Sequence, residues 1–148
     1  MNDIKVRVGV GVYVIRDGKF LIGKRLNAHG QDTYACPGGH MEFGESWEET
    51  ATREFLEETG LTIENPRFLG ITNDIFEIEN KHYITISVIA DCPNGEPEIL
   101  EPNKCSGWHW VDLETLPKEK FVALENLLKS EFKDKLENEL FNSKKIIS

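Results

Sequence analysis

Three closely spaced glutamates could bind a divalent metal ion. Glu54, Glu57 and Glu58 fall within residues 47–59, a stretch with the signals of a short helix. At about 100° per residue, their carboxylates share one arc of such a helix. Carboxylate oxygens are ligands that Mg²⁺ prefers, together with water and substrate phosphates. A Mg²⁺ site on one face of the helix, with Mn²⁺ as a substitute metal, is therefore one interpretation of this spacing.

The two ends of this helix carry capping residues. Ser46 precedes the first predicted residue and Glu49 follows three positions later, which is the pattern of a capping box. Gly60 comes directly after Thr59 and belongs to the residue type that most often ends a helix. These signals predict a helix from about Trp47 to Thr59.

The same charges could instead belong to a solvent-exposed helix face. Glu49, Arg53 and Glu57 are spaced for a ladder of i, i+4 ion pairs, which contribute little at a surface. Glu58, however, overlaps the apolar stripe that faces the core, which consists of Trp47, Ala51 and Phe55. A carboxylate that is buried there needs a cation. The charge pattern alone leaves both interpretations open.

A longer pattern around the glutamates favours the metal site. It runs Gly, five residues, Glu, seven residues, then Arg-Glu-apolar-x-Glu-Glu-x-Gly-apolar, and its fixed positions are Gly39, Glu45, Arg53, Glu54, Phe55, Glu57, Glu58, Gly60 and Leu61. This pattern resembles the Nudix box of the Nudix hydrolases. Phe55 departs mildly from it, because the family more often has an aliphatic residue there. The lead-in from Pro37 to Ser46 is similar to the MutT-like, nucleoside-triphosphate branch of that family.

The resemblance implies a metal set and a general base. Glu54, Glu57 and Glu58 would be the Mg²⁺ ligands, with the carbonyl of Gly38 as a candidate fourth ligand. Glu54 would also take a proton from the water molecule that attacks phosphorus.

Two further box residues would act on the glutamates. Arg53, together with Glu45, would orient a glutamate through charge-assisted hydrogen bonds. For Glu45 an alternative stays open, since an anion near the start of a helix is favourable without any catalytic role.

Substrate contacts are expected at the glycine turn and in two neighbouring segments. Arg25 matches a position where triphosphate-specific members often carry a phosphate-binding arginine, although a surface role is the alternative. Gly39 and His40 would lie beside the substrate, with His40 as a neutral donor or in a structural hydrogen bond. Lys104 would contact a phosphate, and Glu101 could add a metal ligand.

Two apolar residues have both a substrate-binding and a structural interpretation. Phe121 and Leu124 begin the last predicted helix, where they could form a wall for the nucleotide base. Packing in the hydrophobic core is the alternative for both residues.

The order of the predicted elements indicates an α/β protein. Alternating apolar residues predict a strand from Lys5 to Ile15, and Asp17-Gly18 predicts a hairpin turn into a second strand, residues 19–25. Later strands are predicted at residues 67–78, 82–91 and 107–111, and one helix from Phe121 to about Leu140. Strands on both sides of a helix predict a mixed sheet that is covered on two faces. The resemblance implies the Nudix-type α/β/α sandwich, with residues 1–148 as a single domain.

Composition narrows the partners and the location. The chain has 148 residues and a formal net charge of −9, which argues against a nucleic-acid duplex as the main partner. No apolar run is long enough to span a membrane, and the N-terminus lacks the apolar segment of a signal peptide. Three cysteines without a CxxC pair are typical of reduced cytoplasmic thiols. We therefore expect a cytoplasmic protein without a membrane partner.

The resemblance implies hydrolysis of a nucleoside triphosphate to the monophosphate and pyrophosphate, with modified purine nucleotides as first candidates. ADP-ribose, a sugar nucleotide or a dinucleoside polyphosphate is the second interpretation. Related branches that act on ADP-ribose or dinucleoside polyphosphates tend to carry a Pro or a Tyr beyond the box. The corresponding residues here are Phe76-Glu77-Ile78, which include neither. A non-catalytic nucleotide-sensing module is the third, although such modules usually lose box glutamates. A homodimer is common among relatives.

Overall fold

The chain folds around one β-sheet. The computed structural model describes residues 4–144, which form seven strands and three helices. The strands are β1 (Val6–Arg16), β2 (Lys19–Arg25), β3 (Tyr34–Ala35), β4 (Gly38–His40), β5 (Glu64–Phe76), β6 (Lys81–Asp91) and β7 (Cys105–Val111). The helices are α1 (Trp47–Thr59), α2 (Val122–Leu128) and α3 (Lys133–Asn142). None of these helices is long and apolar enough to cross a membrane.

The sheet is mixed. Its main path runs in the order β3-β2-β1-β6-β5, while β4 pairs with β1 and β7 pairs with β2. β1 and β6 are parallel, and the other paired strands are antiparallel. The crossover between β1 and β6 contains α1, which therefore packs on one face of the sheet.

Hydrophobic clusters lie on both faces of the sheet. The cluster under α1 contains Val10, Val12, Val14, Leu21, Ala51, Phe55, Ile63, Val88, Ala90 and Cys92. The cluster under α2 and α3 contains Tyr13, Ile15, Phe20, Ile22, Leu69, Ile89, Val111, Leu124, Leu127, Leu136 and Leu140. Alternate residues of β1 thus point into different layers, as the strand period requires. The predicted α/β/α sandwich is confirmed.

Local signals placed two elements correctly. Asp17 and Gly18 both have positive φ, 50° and 80°, and Arg16 pairs with Lys19, as a two-residue hairpin requires. In α1, the Ser46 side chain accepts a hydrogen bond from the Glu49 amide at 3.1 Å, and the Glu49 carboxylate accepts one from the Ser46 amide at 2.9 Å. Gly60 ends the helix in the left-handed conformation.

The prediction of one helix from Phe121 to about Leu140 is wrong. The structure has two helices, α2 and α3, separated by residues 129–132. Ser130 explains the break, because its hydroxyl donates to the carbonyl of Leu127 at 2.6 Å and accepts from the amide of Phe132 at 3.1 Å. Such local bonds compete with the helical ladder. Both helices pack on the same face of the sheet. The apolar residues of residues 121–140 therefore recur at a spacing that also fits one continuous helix.

Two strands begin at least two residues earlier than predicted. β5 begins at Glu64 instead of residue 67, and β7 begins at Cys105 instead of residue 107. The pairing partners explain both extensions, since Glu64 lies opposite Asp91 and Cys105 lies opposite Arg25. Irregular registers occur at both places, and such irregularities hide the alternation of side chains that predicts a strand.

Candidate active site

The predicted glycine turn is the short strand β4, Gly38–His40, in the structure, and it brings backbone against the charged helix. β4 pairs with β1 so that Gly38 lies opposite Gly11, and Gly39 lies opposite Val10. A Cβ atom on Gly38 would lie 2.1 Å from the carbonyl oxygen of Val10. A Cβ atom on Gly39 would lie 2.3 Å from the carboxyl carbon of Glu54. A side chain at Gly38 would collide with backbone, whereas a side chain at Gly39 would displace the carboxyl group of Glu54, a predicted metal ligand.

Two of the predicted metal ligands share one position beside this turn. The Glu54 and Glu58 carboxyl groups interact with each other, and the Gly38 amide donates a hydrogen bond to Glu58 Oε1 at 3.2 Å. Burial raises the pKa of both carboxyl groups, and the charge of Glu54 raises that of Glu58 further. Two ionised carboxylates at this site would repel each other unless a cation joined them.

Arg53 ties several parts of the site together. Its Nε donates to Glu45 Oε2 at 2.7 Å, and one terminal nitrogen donates to Glu54 Oε1 at 2.8 Å. The other terminal nitrogen donates to the His40 carbonyl at 3.0 Å and to Glu45 Oε1 at 3.0 Å. A planar guanidinium group can form this fork, whereas an ammonium group cannot. Arg53 therefore holds the glycine turn, the loop before α1 and Glu54 in one arrangement.

Glu45 links Arg53 to the start of the helix. It accepts hydrogen bonds from the Glu42 amide at 2.9 Å and from the Thr50 hydroxyl at 2.9 Å. Its hydrogen bonds with Arg53, followed by that from the Glu42 amide, lower the pKa of Glu45 to about 2. Glu45 thus binds Arg53, as the orienting role requires. It also lies near the start of α1, as the alternative requires.

Glu57 lies apart from the other two predicted ligands. Its carboxylate lies 3.5 Å from Arg53 and its side chain is 51% exposed. Within residues 4–144, no three His, Cys, Asp or Glu side chains are already arranged around a common metal position. The positive charge of Arg53 attracts Glu57 on the same helix, so the structure gathers two of the three carboxylates. The three-ligand set stays a prediction.

The donor chemistry of the site nevertheless fits a hard divalent cation. Glu54 and Glu58 offer only oxygen atoms, which suit Mg²⁺ or Mn²⁺ and not a soft metal. Their raised pKa values show that the protein alone does not stabilise both negative charges. A divalent cation would offset that cost. The Glu54 carboxyl group lies directly against the backbone of Gly39 in β4.

A cleft of about 520 Å³ opens beside the carboxylates. Its volume falls within the usual range of small-molecule sites. The predicted residues that line it are Arg25, Gly38, Gly39, His40, Glu54, Glu58, Glu101, Lys104, Phe121 and Leu124. Arg53, Glu45 and Glu57 lie outside this lining, so the structure brings together all the predicted substrate contacts and three of the four predicted metal ligands, Gly38, Glu54 and Glu58.

Arg25 is the partly buried cation of the cleft. Its Nε donates to the His29 carbonyl at 2.9 Å, and its guanidinium lies 4.3 Å from the centre of the Phe121 ring. Burial lowers the pKa of Arg25, while the charge of Glu58 opposes that shift. Lys104 is more exposed and lies 3.7 Å from Glu101. Lys24, Arg25 and Lys104 thus all line the cleft that contains the carboxylate pair.

The two apolar candidates occupy different depths. Leu124 lies in α2 and is buried in the hydrophobic core, as the packing interpretation predicts. It also lines the cleft. Phe121 is half-buried and belongs to a group of rings at the cleft. The core alternative therefore holds better for Leu124 than for Phe121.

Sequence reasoning missed an aromatic cluster at the cleft. His29 stacks on Tyr83 with ring centres 5.1 Å apart and planes 9° apart, and it also contacts Phe76 and Phe121. The Tyr83 hydroxyl is hydrogen-bonded to His40 Nε2 at 2.9 Å. Strand alternation on β5 and β6 could have placed Phe76 and Tyr83 on one face. His29 lies in a polar loop without any comparable signal.

The pKa of His29 leads to a testable effect of pH on stability. Burial, followed by the charges of Arg25 and Lys81, lowers this pKa from 6.5 to about 4. The folded protein therefore disfavours the charged ring. The contribution of His29 to the free energy of unfolding is fully present above pH 6.5 and is lost as pH falls towards 4. Because the ring is half-exposed, we expect a loss of only about 1 kcal/mol.

The matched variant is His29→Phe, which keeps a ring and removes the titration. Urea unfolding gives the free energy of unfolding at pH 7.5 and at pH 5. Between these pH values, that free energy should fall by about 1 kcal/mol more in the wild type than in the variant. Equal losses in the two proteins would show that the His29 ring is not protonated preferentially on unfolding.

The fold and the carboxylate helix together define the class of protein. A family model described as the NUDIX domain matches residues 5–130. The chain therefore belongs to the Nudix domain family.

Individual relatives agree with this class. The ADP-ribose pyrophosphatase of Methanocaldococcus jannaschii is 35% identical over 75% of this chain and 64% of its own length. The oxidized purine nucleoside triphosphate hydrolase of Danio rerio is 30% identical over 72% of this chain and 66% of its own length. The chain thus spans slightly less than two thirds of either relative. The crystal structure of a MutT NUDIX hydrolase from Burkholderia pseudomallei has 29% identity and a TM-score of 0.79, covering 86% of this chain and 98% of that chain.

Proposed function

We propose that this protein hydrolyses a nucleoside triphosphate, in a Mg²⁺-dependent reaction, to the nucleoside monophosphate and pyrophosphate. The observation that carries the proposal is the convergence of Glu54 and Glu58 with Arg25 and Lys104 on a single cleft. Carboxylates next to cationic side chains suit a substrate that brings both a metal ion and a polyphosphate. The named activity of the zebrafish relative, on oxidized purine triphosphates, supports the same choice.

Metal binding is assigned to Glu54, Glu57 and Glu58, with the Gly38 carbonyl as a candidate fourth ligand. When bound, Mg²⁺ would neutralise phosphate oxygens and lower the pKa of an attacking water molecule. The protein supplies the position of these groups. Gly39 and Arg53 hold Glu54 from two sides, and the Gly38 amide holds Glu58.

Proton removal is assigned to Glu54. Water attacks one phosphorus atom of the diphosphate linkage, its proton passes to the Glu54 carboxylate, and the bond from that phosphorus to the bridging oxygen breaks. Arg53 donates to Glu54 Oε1 and thereby fixes the plane of the carboxylate. A base that is held in position can contribute about 10²–10⁴-fold to the rate.

Substrate binding is assigned to the remaining residues of the cleft. Arg25 would meet a phosphate group, because its guanidinium is held by the His29 carbonyl and by the Phe121 ring. Lys104 would add a second, more exposed contact to the phosphates. The rings of His29, Tyr83 and Phe121 offer flat apolar surface for a nucleotide base.

ADP-ribose is the second candidate substrate. The relative from Methanocaldococcus jannaschii, which is named an ADP-ribose pyrophosphatase, favours it at 35% identity. The neighbourhood Phe76-Glu77-Ile78 has neither the Pro nor the Tyr that the alternative branches tend to carry, which weakens this candidate. Both substrates contain a diphosphate linkage, so the same carboxylates would serve either reaction.

Product identity separates the two candidates. The purified protein is incubated with Mg²⁺ and, in separate reactions, with ordinary and oxidised purine triphosphates, ADP-ribose and diadenosine polyphosphates. We expect a nucleoside monophosphate and pyrophosphate from at least one triphosphate, and no product when the metal is chelated. Release of AMP and ribose 5-phosphate from ADP-ribose alone would favour the second candidate. No turnover of any triphosphate would overturn the proposal.

A further inference from the structure

Two glycines of β1 leave a bare strip of the sheet inside the cleft. Gly9 and Gly11 both line the cleft, on the face of β1 opposite to Val10, which is buried under α1. Their neighbours in the parallel register are Thr85 and Ser87 of β6, which line the cleft as well. At these two positions β1 therefore presents backbone, and no side chain, to the cleft. We call Gly9 and Gly11 the glycine strip.

Neither glycine is required by the backbone conformation or by close packing. Both lie within a regular strand, and neither has a positive φ. A Cβ atom on Gly11 would have one atom within 4 Å beyond its chain neighbours, the Cγ2 of Thr85 at 3.9 Å. A Cβ atom on Gly9 would lie 3.7 Å from Tyr83 and 3.8 Å from Thr85, which are ordinary contact distances. Alanine would therefore fit at either position.

Packing explains other glycines of the sheet, but not these two. A Cβ atom on Gly23 would lie 2.6 Å from the sulfur of Cys105, and one on Gly70 would lie 2.3 Å from the ring of Phe132. Glycine inside a strand weakens it relative to alanine, and it often marks a place where a ligand approaches closely. The glycine strip thus has a cost to stability that the fold itself does not explain, and open space in the cleft is its visible result.

The position of the strip indicates that a nucleotide would pass over it. At one end, Gly9 lies beside Tyr83, which stacks on His29 in the aromatic cluster. At the other end, Gly11 lies opposite Gly38 of β4, the strand that contacts the carboxylate pair. Since neighbouring strands are ~4.8 Å apart, a group over the strip lies within one nucleotide's length of the candidate metal site.

A buried carboxylate beside the strip disfavours a phosphate there. Thr85, the neighbour of both glycines, donates its hydroxyl hydrogen to Asp74 Oδ2. Asp74 is fully buried and also accepts hydrogen bonds from the Thr72 hydroxyl at 3.0 Å and from the Asn126 amide at 2.8 Å. These three partners are neutral, so they do not supply a positive charge for a phosphate. An uncharged part of the nucleotide, the base, suits this place better.

We propose that Gly9 and Gly11 determine which base the protein accepts, by keeping open a slot that is large enough for a purine. The proposal rests on the proposed function, since the substrate must carry a base. Alternate residues of a strand are roughly 6.7 Å apart, so the strip extends along both rings of a purine. A side chain at Gly11 would narrow the slot and would penalise a purine more than the smaller pyrimidine.

Gly11→Ala and Gly11→Val test the slot by adding one and three carbon atoms. Calorimetric titration of the full chain in Mg²⁺ gives Kd for GMP, for CMP and for inorganic pyrophosphate, none of which needs to be hydrolysed. For GMP we expect Kd to rise about 10-fold in Gly11→Ala and about 50-fold in Gly11→Val, because one methylene in a pocket changes affinity by roughly 10–200-fold. Kd for pyrophosphate, which has no base, should not change, and Kd for CMP should change less than about threefold in Gly11→Ala.

Gly107→Ala is the matched control. Gly107 lies in β7 and does not line the cleft, and a Cβ atom there would lie 3.9 Å from His109 Nε2. This variant should bind all three compounds like the wild type. Gly11→Ala should also unfold thermally at or above the wild-type temperature, because alanine is favoured over glycine inside a strand. A lower unfolding temperature would show that the fold needs Gly11, and it would overturn the proposal.

The binding results separate this slot from the proposed hydrolysis. An unchanged Kd for GMP in the Gly11→Ala protein, or equal increases for GMP, CMP and pyrophosphate, would overturn the slot. So would a wild type that binds CMP as tightly as GMP, or one that binds neither. A wild type that binds GMP in this Gly11-dependent way, but hydrolyses no triphosphate, would instead overturn the proposed function and leave the slot in place. Gly11→Ala decides the matter if Gly11→Val fails to fold.

Discussion

Glu58→Gln is expected to lower kcat at least about 1000-fold while the protein keeps its fold. The substitution preserves the shape of the side chain and removes the negative charge that a metal ligand needs. Glu54, the carboxylate beside Glu58, is itself an assigned metal ligand. It therefore cannot replace the ligand that Glu58→Gln removes. Steady-state rates with the best substrate of the triphosphate panel, together with thermal unfolding, measure both parts of the prediction.

Glu48→Gln is the control for this substitution. Glu48 lies in the first turn of the same helix and does not line the cleft, so its kcat should stay within about twofold of the wild type. A Glu58→Gln protein with nearly full turnover would contradict the catalytic account. Nucleotide binding without turnover in the wild type would instead indicate a sensing module.

Arg53→Lys is expected to lower kcat about 100-fold with little change in KM. Lysine keeps the charge but cannot reach Glu45, Glu54 and the His40 carbonyl together, as Arg53 does. Because Arg53 does not line the cleft, its loss should disturb the position of Glu54 and not the binding of substrate. Separate kcat and KM values therefore distinguish a positioning role from a substrate contact.

Arg67→Lys provides the matched control for Arg53→Lys. Arg67 also forms a fork, with Asp91 and Glu139, on the side of the sheet away from the glycine turn. The control variant should lose stability but keep its kcat. If both variants lost kcat equally, general destabilisation would explain the effect, and the positioning role of Arg53 would be wrong.

Local sequence patterns were sufficient to predict α1, the helix that carries the candidate metal ligands. The capping box, Gly60 and the apolar stripe together predict both ends of α1. Each of these signals depends only on residues that are close together in the sequence. Arg25 and Phe121 lie far apart in sequence, but their convergence on the cleft follows from the resemblance to a known family.

Individual side-chain contacts account for what the sequence could not predict. The stack of His29 on Tyr83 joins a polar loop to β6, and no local pattern encodes that contact. The break at Ser130 depends on one hydroxyl that favours local bonds over the helix. The ion pair of Glu57 with Arg53 depends on side-chain rotation. Each of these features is decided by a few contacts that the alternation of apolar residues does not record.

The central claim is that Glu54, Glu57 and Glu58 bind a divalent metal ion against a polyphosphate. A crystal soaked with Mn²⁺ and a non-hydrolysable nucleoside triphosphate tests it directly, because the metal can be located by its anomalous scattering. The account predicts one or more anomalous peaks between these carboxylates and the phosphate oxygens, with Arg25 beside the phosphates. A bound nucleotide without a metal peak at Glu54 and Glu58, or with these carboxylates turned towards solvent, would contradict it.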